Sequence, residues 1–331
     1  MVSNSKRGRR LPKRNYARRE LLAAAALAPV LAAGAGAAQA RTARVGWLAP
    51  GNSDPAWALF TDAMAKLGYV EGTTVTYDRR SAESDLGKID ALAAVMVAAK
   101  PDVIVAYFTP SIWAAKKATS AIPIVFVGGA VETGLVGSFA HPTGNLTGVL
   151  GGVITLSGKS VQLLQEINPA LRHVVALCNK PDPFSVPFLA EIEKVGAAEH
   201  VEIEPVMIEH AGDLLAAFDR MERRRPDGII VQPSLPQKEV AALALAHRLP
   251  ATCSSRRFAE LGGLFAYTAH QPELYRVVAK YVDRILKGSK PSDLPVQEAS
   301  RFELVVNQKT ARAIGLAIPP LFLARADQVI E

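Results

Sequence analysis

The 331-residue sequence has little of what usually marks an enzyme or a metal protein. It holds two cysteines, Cys178 and Cys253, and no Cys-x-x-Cys. Its six histidines, at 141, 173, 200, 210, 247 and 270, show no metal-ligand spacing. The sequence-readable zinc and thiol redox frameworks are therefore excluded, and no metal is expected. Gly-x-Ser-x-Gly and His-Glu-x-x-His are missing, as is a Gly-x-Gly-x-x-Gly after the first strand, so nothing points to an activated serine, a zinc protease or a dinucleotide cofactor. The stretch Gly152 to Ser160 comes near a phosphate-binding loop and misses it. That loop needs four residues between its glycine and Gly-Lys-Ser, and here five stand between Gly152 and Gly158. Leu156, Ser160, Leu163 and Ile167 run through it at helical spacing. No cofactor is expected.

An excess of positive charge is also missing from most of the chain. The net +7 resides in residues 1–40, which hold eight basic residues (Lys6, Arg7, Arg9, Arg10, Lys13, Arg14, Arg18, Arg19) and Glu20. The remainder has 38 − 8 = 30 Lys and Arg against 31 − 1 = 30 Asp and Glu. A neutral body has no electrostatic footprint for nucleic acid. Residues 1–40 have the three parts of an export signal: a basic segment, the apolar residues 21–33, and Ala38-Gln39-Ala40 as a small-x-small cleavage site. The Arg18-Arg19 pair resembles a twin-arginine signal, with Ala17 where Ser or Thr is usual. Export to the periplasm with cleavage after about Ala40 is expected. Past the leader no segment is apolar enough to cross a bilayer.

The remaining chain alternates short apolar strands with amphipathic helices. Residues 45–48, 73–77, 103–107 and 122–127 read as four strands of one α/β lobe, and continuous β-branched runs fit a parallel sheet buried on both faces. Trp57, Phe60, Met64 and Leu67 share one face of the first helix. Asn145-Leu146-Thr147-Gly148, which matches a glycosylation sequon, reads as a turn into a short strand. A second series follows, with strands at 173–178, 201–208, 228–231, 251–254 and 264–268. Cys178 and Cys253 fall on its first and fourth strands, which are not neighbours in a doubly wound order, so no disulfide is expected. A long helix carries Leu274, Val277, Val278, Tyr281 and Ile285. Residues 302–306 read as one more strand, with Asn307 capping a short helix.

The fold class expected is thus α/β: two doubly wound parallel-sheet lobes joined by a multi-strand hinge. One lobe takes 43–148 plus about 271–299, the other 149–268 plus about 300–331. Three stretches, 145–152, 268–271 and 300–306, read as crossings between them. In such sheets ligands sit beyond the carboxyl ends of the strands, where loops and helix N-termini converge. That rule nominates Asn52 and Ser53 after the first strand, Thr109 and Ser111 after the third, and Gly128 and Gly129 after the fourth. From the other lobe it nominates Asn179, Ser234 and Tyr267. In this reading Thr109, Ser111 and nearby backbone N–H groups anchor an acidic group, and the second lobe closes over it. Asp54 with His270 is the one acid–base pair the sequence offers to an enzymatic reading of the same scaffold.

Several motifs then fall in a telling order: Leu67-Gly68-Tyr69-Val70-Glu71-Gly72, Ile122-Pro123-Ile124-Val125-Phe126, Asn145-Leu146-Thr147-Gly148, residues 281–288 (YVDRILKG), Asp293-Leu294-Pro295-Val296, residues 302–307 (FELVVN), and Ile318-Pro319-Pro320 with Ala324-Arg325-Ala326-Asp327. In this order the chain resembles, over nearly all of residues 43–331, the solute-binding proteins of ABC importers related to the tryptophan- and tyrosine-type systems. The resemblance implies a type I periplasmic-binding-protein fold, no enzymatic activity, and delivery of a small solute to an ABC permease in the membrane. A receptor-linked sensor and an enzyme on the same scaffold are the alternatives. Two departures bear on the ligand. Gly129-Ala130-Val131 stands where the family often has Asp-Pro-Val, and Cys178-Asn179-Lys180-Pro181 where it often has Trp-Asn-Pro. An amino acid and an organic or aromatic acid both stand as candidate solutes.

Overall fold

A computed structural model describes residues 41–142 and 144–331; the leader features lie outside the described residues. The chain begins with β1 (Ala43–Ala49), α1 (Asp54–Lys66), β2 (Val75–Ser81), α2 (Ile89–Ala98), β3 (Val103–Tyr107), α3 (Phe108–Ala118), β4 (Ile124–Val127) and β5 (Leu146–Leu150). It crosses to α4 (Val153–Ile167), β6 (His173–Asn179), α5 (Ser185–Ala198), β7 (Glu202–Ile208), α6 (Leu214–Arg224), β8 (Gly228–Val231), α7 (Gln237–Ala246), β9 (Ala251–Cys253), α8 (Arg256–Glu260) and β10 (Phe265–Ala269). It returns through α9 (Gln271–Leu286) and β11 (Gln297–Glu298), then crosses a third time into β12 (Phe302–Asn307), α10 (Gln308–Ile314), α11 (Pro320–Leu323) and β13 (Gln328–Ile330).

The strands form two sheets, ordered β11-β5-β4-β3-β1-β2 and β13-β12-β10-β9-β8-β6-β7. All neighbours are parallel except β10 and β12, which run antiparallel with Thr268 opposite Glu303. The strand period of two sorts side chains to opposite faces. Val45, Trp47, Val103 and Val105 join the core under α1 and α9, while Leu48, Ile104 and Ala106 join the core under α2 and α3. The second sheet is covered the same way, with Val174 and Ala176 on one side and Val175 and Leu177 on the other. α9 is therefore a core element of the first lobe although it is encoded after the second.

Local details refine the sequence expectations. Of the α1 stripe, Phe60 and Met64 are fully buried, but Leu67 is 38% exposed because it stands at the helix C-terminus, past the last packed turn. β2 runs on to Ser81, which brings Arg79 to the end of the sheet. The near-match to a phosphate loop is the first half of α4: Gly158 lets α5 approach so closely that a Cβ there would lie 2.9 Å from Val195 Cγ2, and Ser160 Oγ donates to Leu156 O. Those residues are a helix-packing surface. Cys178 and Cys253 are buried and free, with β8 between their strands. Burial pushes the Cys178 thiol up to about 12, and that of Cys253 higher still, which leaves both unreactive. Asn307 caps α10, its Oδ1 accepting from Thr310 N at 2.8 Å. Among the described residues no helix is long and apolar enough to cross a membrane.

The three crossings are narrower than the sequence suggested and lie side by side. His270 N donates to Arg301 O and Ala299 N to Leu150 O, both at 2.9 Å. Gly152, at the first crossing, adopts φ 68°, a left-handed turn into α4 that glycine makes without strain.

Candidate functional site

The first-lobe side of the site is built on a buried tryptophan. Trp47 projects from β1 with no exposed surface, stacks on Tyr107 (5.8 Å between centroids) and meets Trp57 edge-on at 5.5 Å. Its Nε1 donates to Ser53 Oγ at 3.0 Å, which fixes the loop leading into α1. Asn52 Oδ1 accepts from Asp54 N at 2.9 Å. Arg79 lies 5.4 Å over the Trp57 ring and pairs with Asp54. The Arg79 hydrogen bond holds the Asp54 carboxyl below the usual carboxylate range. Tyr107 is pushed up to about 12 by burial, and Tyr275 is raised further for the same reason, so both are neutral phenols.

At the ends of β3 and β4 the backbone is unusual. Phe108 opens α3 with φ 62°, a region bulky residues rarely occupy and one that costs ~1–3 kcal/mol. It is held there by Gly128 (φ 144°), where a Cβ would sit 3.1 Å from Phe108 Cα. Gly129, next in line, is covered by Phe184 of the second lobe: a Cβ at 129 would lie 2.3 Å from two ring carbons and 3.2 Å from Thr109 Oγ1. The lobes are thus in direct contact here. α3 begins one residue earlier than Thr109-Pro110 suggests, which turns both hydroxyls beneath it. Thr109 is buried, and Ser111 is fully buried with its Oγ unpartnered.

The second lobe contributes a closed polar network at its rim. Asp182 is buried and accepts from Ser234 Oγ (2.6 Å), Gln232 Nε2 (2.8 Å) and Phe184 N (3.0 Å). Asn179 joins it, with its N donating to Gln232 Oε1 and its Nδ2 to Ser234 Oγ at 3.2 Å. Desolvation raises the Asp182 pKa above the usual carboxylate range despite these donors.

Between the lobes lies a cavity of about 1070 Å³. Asn52, Ser53, Gly128 and Ser234 line it. Asn179 lines an adjoining cavity of about 800 Å³ with Trp113 and Lys117, and the two share Glu83, Ser84, Leu235 and Pro236. Gly129 and Thr109 lie in the interlobe contact rather than on the larger cavity wall. Tyr267 packs on Phe302 at 6.1 Å, away from both cavities. Asp54 and His270 line the larger cavity without bonding to one another: Asp54 is held by Arg79, and His270 Nδ1 is buried and unpartnered.

Among the charged residues on this wall that sequence reasoning missed, two stand out. Arg257, half-buried on α8, makes no side-chain hydrogen bond or ion pair among the described residues. The strand-end rule applied to β9 would have found it, since Ser254-Ser255-Arg256-Arg257 follows that strand directly. Glu303 is 7% exposed on β12. A lone acid inside an otherwise apolar strand was its visible signal.

Two α/β lobes on three crossings, with a cavity lined from both, define a type I periplasmic-binding-protein architecture. The chain belongs to the ABC transporter substrate binding protein family, whose sequence model matches residues 54–330. A tyrosine-binding protein of Clostridioides difficile (strain R20291) is 24% identical over 264 residues, covering 78% of this chain and 75% of the relative. Among solved structures, an ABC domain from Streptococcus pneumoniae in complex with L-Trp is 25% identical, with a TM-score of 0.80 over 87% of this chain and all of the other. A conserved domain protein from Vibrio cholerae shares the fold at the same TM-score, with 24% identity over 87% of this chain and all of its own.

Proposed function

We propose that this chain is the extracytoplasmic solute-binding component of an ABC importer, capturing a small carboxylate-bearing solute between its lobes and presenting it to a membrane permease. The observation that carries the reading is Arg257: a half-buried residue whose side chain makes no hydrogen bond or ion pair among the described residues and feels the longer-range charge of Asp54, which Arg79 already holds, on the wall of an interlobe cavity. A guanidinium there matches a carboxylate bidentately. A cavity of about 1070 Å³ suits a molecule of amino-acid size with room for water. The relatives' ligands, tyrosine and tryptophan, carry the same carboxylate. Closure follows as a population shift, because contacts from Asn52 and Ser53 on one side and Ser234 on the other act together only when the lobes meet.

The test is a thermal-shift screen of the purified protein against amino acids and aliphatic and aromatic acids. A ligand at a hundredfold over its Kd adds about 2.7 kcal/mol of stability. Arg257→Gln should weaken the best hit at least tenfold, from loss of a hydrogen bond to a charged group worth ~1.5–3 kcal/mol. A screen without a hit, or a hit indifferent to Arg257→Gln, refutes the proposal.

A further inference from the structure

The polar groups of the interlobe cavity are not evenly satisfied. Asp54 is paired with Arg79. Glu303 is different. Its Oε2 accepts from Arg256 Nη1 at 2.9 Å, but its Oε1 is buried with no hydrogen-bond partner. Arg256 is itself divided, its Nε donating to Glu260 Oε1 at 2.9 Å. One guanidinium therefore serves two carboxylates, and Glu303 Oε1 is left without a donor.

The neighbouring strands bring further unpartnered atoms onto the same cavity wall. Glu303 stands opposite Thr268 in the β10–β12 ladder. Thr268 Oγ1 donates to Ser254 O at 3.2 Å, which ties the end of β9 to the same spot. Ser254 is 8% exposed, with its Oγ unpartnered. Ser254, Thr268, His270 and Glu303 all line the cavity that Arg257 lines. A buried carboxylate oxygen without a donor is costly. The Ser254 hydroxyl on the same wall is a second unpaired acceptor, so the wall offers two such atoms to a group carrying N–H donors.

We infer that Glu303, supported by Ser254, is the ammonium-recognition residue of the cleft, so that the solute bears a protonated amine as well as a carboxylate. The inference rests on the solute-binding reading above. It deepens that reading by assigning the charges: Arg257 takes the carboxylate and Glu303 the amine.

The experiment is calorimetric titration of the purified protein with the twenty standard amino acids and a panel of organic acids, followed by the deaminated analogue of the best amino acid, identical except that hydrogen replaces the ammonium. The expected result is an amino acid that binds at least tenfold more tightly than its deaminated analogue. Glu303→Gln keeps the side-chain shape and an acceptor for Arg256; it should weaken the amino acid tenfold or more and leave the deaminated analogue within about twofold. Equal binding of the two ligands by the parent protein overturns the assignment while the solute-binding reading stands. Equal loss of both ligands in Glu303→Gln also overturns it, since a merely structural role would act that way. If no amino acid binds, the inference fails, and the organic-acid panel then decides whether the broader reading fails with it. Should Glu303→Gln not fold, the parent's discrimination between amino acid and deaminated analogue decides alone.

Discussion

Gly129→Ala tests whether the lobes close as they stand here. The added Cβ would meet Phe184 Cδ2 and Cε2 at 2.3 Å, whereas ordinary contact begins near 3.4 Å. The ring, or the lobe that carries it, must retreat by about 3.4 − 2.3 = 1.1 Å. The ring cannot easily give way. Phe184 is 6% exposed, packs against Phe188 at 6.4 Å, and its N is held by Asp182 Oδ1. Overpacking of this kind costs ~1–3 kcal/mol. The Phe184 clash falls on the closed state, because Gly129 and Phe184 belong to different lobes and separate when the cleft opens; the milder 3.2 Å approach to Thr109 Oγ1 lies within one lobe and is common to both states. A penalty of that size lowers the closing equilibrium by about 5- to 150-fold, and apparent affinity falls by up to the same factor when the free protein is mostly open. Calorimetric titration of the ligand found in the screen measures the loss, and small-angle scattering should show the liganded variant less compact. Thermal stability of the free protein should change little. The double variant Gly129→Ala with Phe184→Ala should recover part of the affinity lost by Gly129→Ala, and the coupling is read from the full cycle. A Gly129→Ala protein that binds within twofold of the parent would refute this reasoning.

Two further outcomes follow from the same coordinates. Asn307→Ala removes the α10 cap and the Nδ2 bond to Ala259 O at 2.8 Å, leaving that carbonyl to Gly262 N at 3.2 Å; a loss of ~1–2 kcal/mol is expected in urea melts, and a loss under about 0.5 kcal/mol contradicts the capping account. Asp182 gives a pH signature. Its folded pKa is raised by desolvation, so its contribution is most favourable below the unfolded value of ~3.9 and is lost as pH rises through the folded value. Asp182→Asn should therefore gain stability relative to the parent as pH rises from 4 to 8, and parallel stability curves would contradict the assignment.

How much of this was legible in the sequence depends on how local the determinant is. Strands such as β3 and β8 read correctly because a strand buried on both faces is an uninterrupted apolar run, and Asn307 read correctly as a cap because capping is settled within three residues. The loops holding Asn52, Ser53 and Ser234 could be placed from strand ends alone. Thr109 and Ser111 were less transparent, since Phe108 takes a left-handed conformation that starts the helix early and folds their hydroxyls inward. Glu303 was out of reach for a different reason. Its position beside Arg256 depends on β12 pairing antiparallel with β10 after the chain has left the lobe, built α9 and β11, and come back. A pattern read over ten residues carries no trace of that pairing.

The same return explains where the ligand's charges would be met. Gly151, His270 and Glu303 stand at or beside the three crossings, and all three line the cavity. The crossings are laced together by His270 N to Arg301 O and Ala299 N to Leu150 O, so their relative positions change least when the lobes swing. Contacts made there are available to a solute in the open cleft. Contacts to Asn52 and Ser53 at one end and Ser234 at the other are made together only after closure. A solute that touched the crossings alone would bind open and closed forms equally and shift nothing. The driving force for closure must then come from the lobe-borne groups, and Gly129, bare of a side chain where Phe184 lands, is what lets those groups meet.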